Sequence, residues 1–344
     1  MDFTGPETAI LNRIQKNFPL TADPFSDMSR ELSIRETELL SVLKNLKERG
    51  VVRNISGIFN ADRLGYASTL VAFQVDERDI ERAAAMINTH PGVSHNYRRD
   101  HRYNVWFTLA SETEDMLLRT VKVLFDMTGA ADHLVLGKEK LLKIGLMLPV
   151  GDGATPDAPI GSPASAEPSR APVNLSDAEK EAVRLLQIDL PIERNPFMGL
   201  INAQGSPVRA DYLLEQAHSL QAGGILRRYA AVLRHRSAGY TANAMTVWKP
   251  GWDADMNHIA DTFCSQPLVS HLYIRTAYPG KWEYPLFAMI HARTENALND
   301  IIQELSRRSG MDDYQVLRTV AEFKKERVHY FSPAFGAWER KVGL

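Results

Sequence analysis

Cysteine is nearly absent from this sequence. Cys264 stands alone among 344 residues, which excludes an internal disulfide framework and any paired-cysteine metal or redox motif. A small buried hydrophobe is the plain reading of such a residue. Long apolar runs are missing as well, since none reaches the roughly 18 residues that a membrane span requires. The opening stretch "MDFTGPETAILNRIQ" is acidic and amphipathic, unlike a secretory signal, so the cytoplasm is the expected location. Nor is there an excess of either charge: 40 basic residues face 42 acidic ones, for a formal charge of −2. That balance removes the global electrostatic reason to expect tight nucleic-acid binding, leaving only local basic patches.

What is present is enough apolar material for more than one core. The chain is 44% hydrophobic over its 344 residues, a length that predicts two or more domains. One stretch interrupts it: "PVGDGATPDAPIGSPASAEPSRAPVNLSD" (149–177) crowds Pro, Gly, Ala and Ser together at the expense of large apolar side chains, and it reads as a flexible tether.

The flanking segments are similar in length and repeat one another. "GVVRNISGIFNADRLGYASTLVAF" resembles "GGILRRYAAVLRHRSAGYTANAMTVW", with Gly50 set against Gly224, Arg53 against Arg227, Gly65 against Gly239 and Tyr66 against Tyr240. Further on, "PGVSHNYRR" matches "PLVSHLYIR", so that His95 meets His271. A long match with small shifts of register points to duplication, and hence to a pseudo-dimer within one chain.

Each half reads in the same order. In "MSRELSIRETELLSVLKNLKERG" the residues Leu39, Leu40, Val42, Leu43 and Leu46 make an apolar stripe at helical spacing, and Gly50 stands where a helix-terminating glycine belongs. Helix, turn, longer helix and the strand "VVRNISGIF" outline a winged helix-turn-helix. After it come "YASTLVAFQV", a helix, the strands "VSHNYRR" and "YNVWFTLA", a second helix and a strand around "DHLVLG", in the βαββαβ order of a ferredoxin-like module. The second half repeats that order, ending near "DYQVLRT". The predicted class is α+β in tandem: winged helix-turn-helix at 1–60, ferredoxin-like domain at 61–148, linker at 149–177, then the same pair at 178–236 and 237–344.

A helix-turn-helix followed by a ferredoxin-like module resembles the Lrp/AsnC family, which implies a transcriptional regulator. The residues argue against DNA as a partner. The candidate recognition helix (33–49) carries four basic residues, Arg35, Lys44, Lys47 and Arg49, against three acidic ones, Glu36, Glu38 and Glu48. Its counterpart "RADYLLEQAHSLQ" sets Arg209 against Asp211 and Glu215. A helix built for the major groove presents phosphate-positioning and base-reading side chains instead.

Positive charge gathers elsewhere, in "RRYAAVLRHR" (227–236) and "HNYRRDHRY" (95–103). On a strand, alternate side chains share a face, so Arg234 and Arg236 project together and His235 opposes them. His95, Tyr97, Arg99, His101 and Tyr103 share a face if the strand runs straight, and a turn near Asp100 breaks that register. Clustered guanidinium groups suit a ligand with several carboxylates, since each binds one through paired charge-assisted hydrogen bonds.

At these motifs the sequence resembles the siroheme decarboxylases, which share the Lrp/AsnC architecture. The stretches that carry the resemblance are "HPGVSHNYRRDHRYNVWFTL" (90–109), "LRRYAAVLRHRSAGYTANAMTVW" (226–248) and "PLVSHLYIRTAYPGKWEYPLFAMIH" (267–291). It implies two homologous subunits fused in one chain. It also implies a carbon–carbon lyase that removes two acetate carboxyl groups of siroheme as carbon dioxide, giving didecarboxysiroheme for haem or denitrification haem. No organic cofactor is implied, because the iron arrives within the tetrapyrrole.

Under that resemblance histidine is the natural proton donor, because its unperturbed pKa of about 6.5 lies near working pH. The halves differ here. His101 has no histidine counterpart in "RTAYPGKWEY", and His235 aligns with Ala61. His101 and His235 are therefore the candidate acids, in one competent pocket or in separate clefts, with ligation of the substrate iron by a histidine left open. The candidate substrate-binding residues are His95, Tyr97, Arg99, Arg102, Tyr103, Arg227, Arg228, Arg234, Arg236, His271 and Arg275. Plainer readings stand beside them: His95 and His271 hydrogen-bonding a neighbour, Arg227 and Arg228 on a solvated face, and Trp106, Tyr240, Trp248 and Phe287 packed in the core. His90, His133, His218, His258, His291 and His329 show no metal-ligand spacing. A transcriptional regulator and a non-catalytic tetrapyrrole carrier remain the alternatives, and assembly beyond the pseudo-dimer is open.

Overall fold

The computed structural model describes residues 3–144, 171–233 and 240–344. The first half runs α1 (Gly5–Lys16), α2 (Pro24–Glu31), α3 (Glu36–Glu48), β1 (Val52–Phe59), β2 (Ala67–Gln74), α4 (Ile80–Asn88), β3 (Val93–Arg99), β4 (Val105–Ser111), α5 (Glu114–Thr128) and β5 (Asp132–Ile144). The second half runs α6 (Asp177–Leu186), α7 (Pro196–Ala203), α8 (Ala210–Ala222), β6 (Leu226–Leu233), β7 (Ala242–Trp248), α9 (Met256–Ser265), β8 (Val269–Arg275), β9 (Leu286–Ala292), α10 (Glu295–Ser309), β10 (Tyr314–Leu317), β11 (Thr319–Lys325) and α11 (Ala334–Val342). The chain folds into two units, and each draws on both halves: 3–64 with 171–233, and 65–144 with 240–344.

In the first unit the repeat shows in the helix ends. Thr4 and Glu7 form a reciprocal capping box on α1, and Ser176 and Glu179 form the same box on α6. Pro24 and Pro196 open α2 and α7, where a missing N–H costs nothing. Gly50 and Gly224 follow α3 and α8 at φ +70° and +68°, a left-handed conformation that glycine adopts without steric penalty. Of the predicted stripe on α3, Leu39, Leu43 and Leu46 are fully buried, while Leu40 and Val42 are half-buried at its margin. Helix α6 begins at Asp177 on its Ser176 cap, so the end of the expected linker belongs to the fold. Most of that linker lies outside the described residues.

The strand expected to form each wing pairs with its repeat. β1 and β6 make a two-stranded antiparallel sheet, with Ser56 opposite Ala230 and Ile55 opposite Ala231. A single strand leaves its backbone donors and acceptors open, and the duplicate of the same strand satisfies them.

The second unit holds a nine-stranded antiparallel sheet in the order β10-β7-β9-β8-β5-β2-β4-β3-β11. Each module keeps the ferredoxin-like strand order, but its last strand ends on the other module. β5 pairs with β2 from Asp132 to Gly137 and with β8 from Lys138 to Ile144. β10 pairs with β7, and β11 with β3. The apparent strand ends at "DHLVLG" and "DYQVLRT" are the points of that hand-over. Beyond them the sequence turns basic and loses the apolar alternation that marks a strand.

Alternation along the strands separates three apolar layers. Val71, Phe73, Val105, Phe107 and Leu109 pack under α4 and α5, and Ala244, Leu286, Ala288 and Ile290 pack under α9 and α10. The opposite faces of both modules meet in a third cluster of Leu70, Ala72, Tyr103, Trp106, Leu134, Leu136, Val247, Trp282, Phe287 and Leu317. Trp106, Tyr240, Trp248 and Phe287 are all buried, as core residues should be. Helix α11, which follows the repeat, lays Trp338 on the first module, with its indole N–H donating to Thr89 Oγ1 at 3.0 Å. No described helix is long and apolar enough to cross a membrane.

Candidate active site

β3 ends at Arg99, so the chain turns at Asp100 and the long shared face divides in two. His95, Tyr97 and Arg99 remain on alternate strand positions, and His271, Tyr273 and Arg275 repeat them on β8. The duplicates match in detail. Ser94 Oγ lies 3.0 Å from His95 Nδ1, and Ser270 Oγ lies 2.8 Å from His271 Nδ1. The Arg99 guanidinium sits 5.0 Å from the Tyr97 ring centre, and that of Arg275 sits 4.6 Å from the Tyr273 ring.

Both arginines also fasten the strand hand-over. Arg99 Nη1 donates to Leu317 O at 2.8 Å and to Thr319 Oγ1 at 2.9 Å, at the break between β10 and β11. Arg275 Nη1 donates to Leu136 O at 2.9 Å, where β5 leaves β2. Among the described residues neither forms an ion pair with a carboxylate, and the Nε of each is buried without a hydrogen-bond partner. Burial pushes both guanidinium groups down to about 10. His271 is brought down to about 4 by burial, with the Arg275 charge acting in the same direction.

The turn after β3 holds His101, Arg102 and Tyr103. His101 Nδ1 accepts from the Tyr103 N–H at 3.0 Å, so the neutral ring carries its proton on Nε2. Burial lowers the pKa of His101, and the neighbouring Arg102 charge lowers it further. Tyr103 is fully buried and donates its hydroxyl to Asp132 Oδ2 at 2.8 Å; burial and that carboxylate both raise its pKa. Burial also pushes Asp132 upward, but bonds from Lys281, Tyr103 and the His133 N–H outweigh it and hold the carboxylate below its ordinary value.

The second half carries a positional counterpart of His101 that sequence comparison does not reveal. Tyr284 donates to Asp313 at 3.0 Å as Tyr103 does to Asp132, and Trp282 precedes Tyr284 by the same two residues that separate His101 from Tyr103. The two rings meet edge to face, 5.6 Å apart at 86°. The available signal is "YPGK" (278–281), a Pro-Gly turn inserted between two strands, which lengthens the loop and obscures the alignment.

The remaining candidates lie elsewhere. Arg227 and Arg228 are on β6 in the first unit, Arg227 exposed and Arg228 half-buried, with burial lowering the pKa of Arg228. Arg234, His235 and Arg236 lie outside the described residues.

The profile of the AsnC-like ligand binding domain matches residues 63–143 and 237–324, and that of the siroheme decarboxylase NirDL-like HTH domain matches residues 7–53. The siroheme decarboxylase of Hydrogenobacter thermophilus is 37% identical over 97% of this chain and 97% of its own. The crystal structure of the siroheme decarboxylase NirDL covers 98% of each chain at 33% identity, with a TM-score of 0.75. A crystal structure of the siroheme decarboxylase NirDL in co-complex with an iron-uroporphyrin III analogue covers 97% of each chain at 32% identity, with a TM-score of 0.73. The chain belongs to the siroheme decarboxylase family.

Proposed function

We propose that this protein removes two acetate carboxyl groups of siroheme as carbon dioxide, acting as a carbon–carbon lyase without an added cofactor. The single observation that carries the reading is similarity along the whole chain, helix-turn-helix units included, to enzymes of that activity. In each step the bond between the carboxyl carbon and the side-chain methylene breaks. The electron pair stays on the methylene carbon, a proton joins it to make a methyl group, and carbon dioxide leaves. No net oxidation occurs, so neither oxidant nor reductant enters the balance. The iron travels with the substrate.

His101 is the proton donor in this reading. Its burial disfavours the charged ring in the free protein, but a tetrapyrrole bearing many carboxylates favours it on binding. Arg102, Tyr103, His95, Tyr97, Arg99, His271 and Arg275 are the described candidates for holding the other carboxylates and the macrocycle. Arg227 and Arg228, on β6 of the first unit, are further candidates for holding a carboxylate. His235, the second candidate acid, and the candidate holders Arg234 and Arg236 lie outside the described residues. Anchoring the carboxylates that do not react applies binding energy to the one that does.

Anaerobic incubation of the purified protein with siroheme, followed by mass analysis of the tetrapyrrole, tests the proposal. A product lighter by two carbon dioxides is expected. Siroheme that binds and is recovered unchanged would make the protein a carrier.

A further inference from the structure

We propose that the second half supplies the positioning element for His101: the turn at 278–281 and the adjacent Trp282 hold the imidazole in place for proton delivery. The inference rests on the decarboxylase reading and goes beyond it, because it gives a chemical task to a segment that carries no histidine.

The turn is rigid for reasons visible in its residues. Pro279 and Gly280 occupy the two central positions, and Gly280 has φ +72°, as a type II turn requires at its third residue. The Lys281 N–H donates to Tyr278 O at 2.9 Å, and Tyr278 and Trp282 exchange backbone bonds of 2.7 Å in both directions. Tyr278 then reaches across to β5, its hydroxyl donating to Val135 O at 2.7 Å.

Three ties run from this turn to His101 and its two successors. Arg102 Nη2 donates to Lys281 O at 3.1 Å. Lys281 Nζ lies 2.6 Å from Asp132 Oδ1, while the other oxygen of the same carboxylate holds the Tyr103 hydroxyl. Trp282 meets the His101 ring itself. The indole cannot swing away, because its N–H donates to Tyr284 O at 2.9 Å and its ring packs against Trp106 and Phe287 at 5.4 and 6.0 Å. His101 is thus held by the Tyr103 N–H at its Nδ1 and packs edge to face with a fixed indole. A donor placed in this way needs little reorganisation when the carbanion forms.

Kinetics of Trp282→Ala and Trp282→Phe, each measured across pH, test the assignment. Trp282→Ala is expected to lower kcat about 10-fold to 100-fold with little change in KM, as displacement of a catalytic group does. Its pH profile should shift as the His101 environment opens to water, and Trp282→Phe should recover most of the rate. Lys281→Gln, a change at a half-exposed side chain, tests the same tie without cutting into the core; a smaller loss of kcat is expected. Imidazole ¹⁵N shifts of His101, assigned with His101→Ala, provide a readout that needs no turnover. They should move in both the Trp282 and the Lys281 variants. Wild-type kinetics and unmoved His101 shifts in folded variants would overturn the proposal. Failure of the wild-type chain to decarboxylate siroheme would instead overturn the functional reading, leaving the ¹⁵N shifts to judge the positioning.

Discussion

His90 of the first module and Gln266 of the second do the same backbone work: His90 Nδ1 accepts from the Gly92 N–H at 3.0 Å, and Gln266 Oε1 accepts from the Leu268 N–H at 3.3 Å. Only the histidine titrates. It is fully buried beside Trp338, at 4.5 Å between ring centres, and its Nε2 has no hydrogen-bond partner. Burial, helped by the Lys324 charge, brings it down to about 4.

Acid stability follows from this with a definite sign. His90 and His271 have folded-state values of about 4 against an ordinary 6.5, so between these limits the unfolded chain binds more protons. Stability should be complete above 6.5 and fall as pH drops toward 4, with His101 and His133 acting in the same direction because burial lowers them too. His90→Gln, which copies the second module, should retain the fold and flatten the decline. Denaturant midpoints measured across pH decide it, and an unchanged slope would count against a neutral buried His90.

The arginines at the strand hand-over give a prediction about stability rather than rate. Removing Arg99 strands the Leu317 carbonyl and the Thr319 hydroxyl, at a cost of about 1.5–3 kcal/mol for lost charge-assisted bonds. Arg99→Lys should recover only part of this, because an ammonium cannot copy the planar fork stacked on Tyr97. Urea unfolding of both variants measures the difference. Wild-type stability in Arg99→Ala would assign the residue to ligand binding alone.

His101→Ala should lower decarboxylation about 100-fold to 10,000-fold, the usual worth of a positioned general acid, while the protein still binds tetrapyrrole. Turnover assays paired with absorbance titration of the bound macrocycle separate the two effects. Equal turnover in the variant would remove His101 from the chemistry.

The helix-turn-helix units should not bind duplex DNA in a salt-dependent way. Lys47 lies 2.6 Å from Asp189, Arg49 pairs with Glu7, and Glu36 lies 3.5 Å from Arg194. Charges neutralised within the protein release no counterions from DNA. Fluorescence anisotropy with a labelled duplex at low and moderate salt checks this, and a steep salt dependence would revive the regulator.

Local chemistry made much of the fold legible. Gly50 and Gly224, the apolar stripe on α3 and the alternation through Trp106 and Phe287 are signals written within a few residues of one another. The fasteners between the halves are not local. The pairing of β1 with β6 joins two similar strands, and nothing in either says that its partner is its own duplicate. The crossing of β5 and β11 occurs in basic stretches without apolar periodicity. His101 and Trp282 meet although 181 positions separate them, since 282 − 101 = 181, and the inserted turn hides their equivalence. Strand alternation placed His95, Tyr97 and Arg99 on one face, but it could not disclose that Arg99 and Arg275 spend a donor on holding strands together.

A single anaerobic turnover of siroheme in deuterated water, with mass analysis of the tetrapyrrole, tests the decarboxylation most directly. Loss of two carbon dioxides and gain of one deuterium at each new methyl group are expected, without any added cofactor. Siroheme recovered at its original mass, or turnover that begins only when a cofactor is supplied, would contradict it.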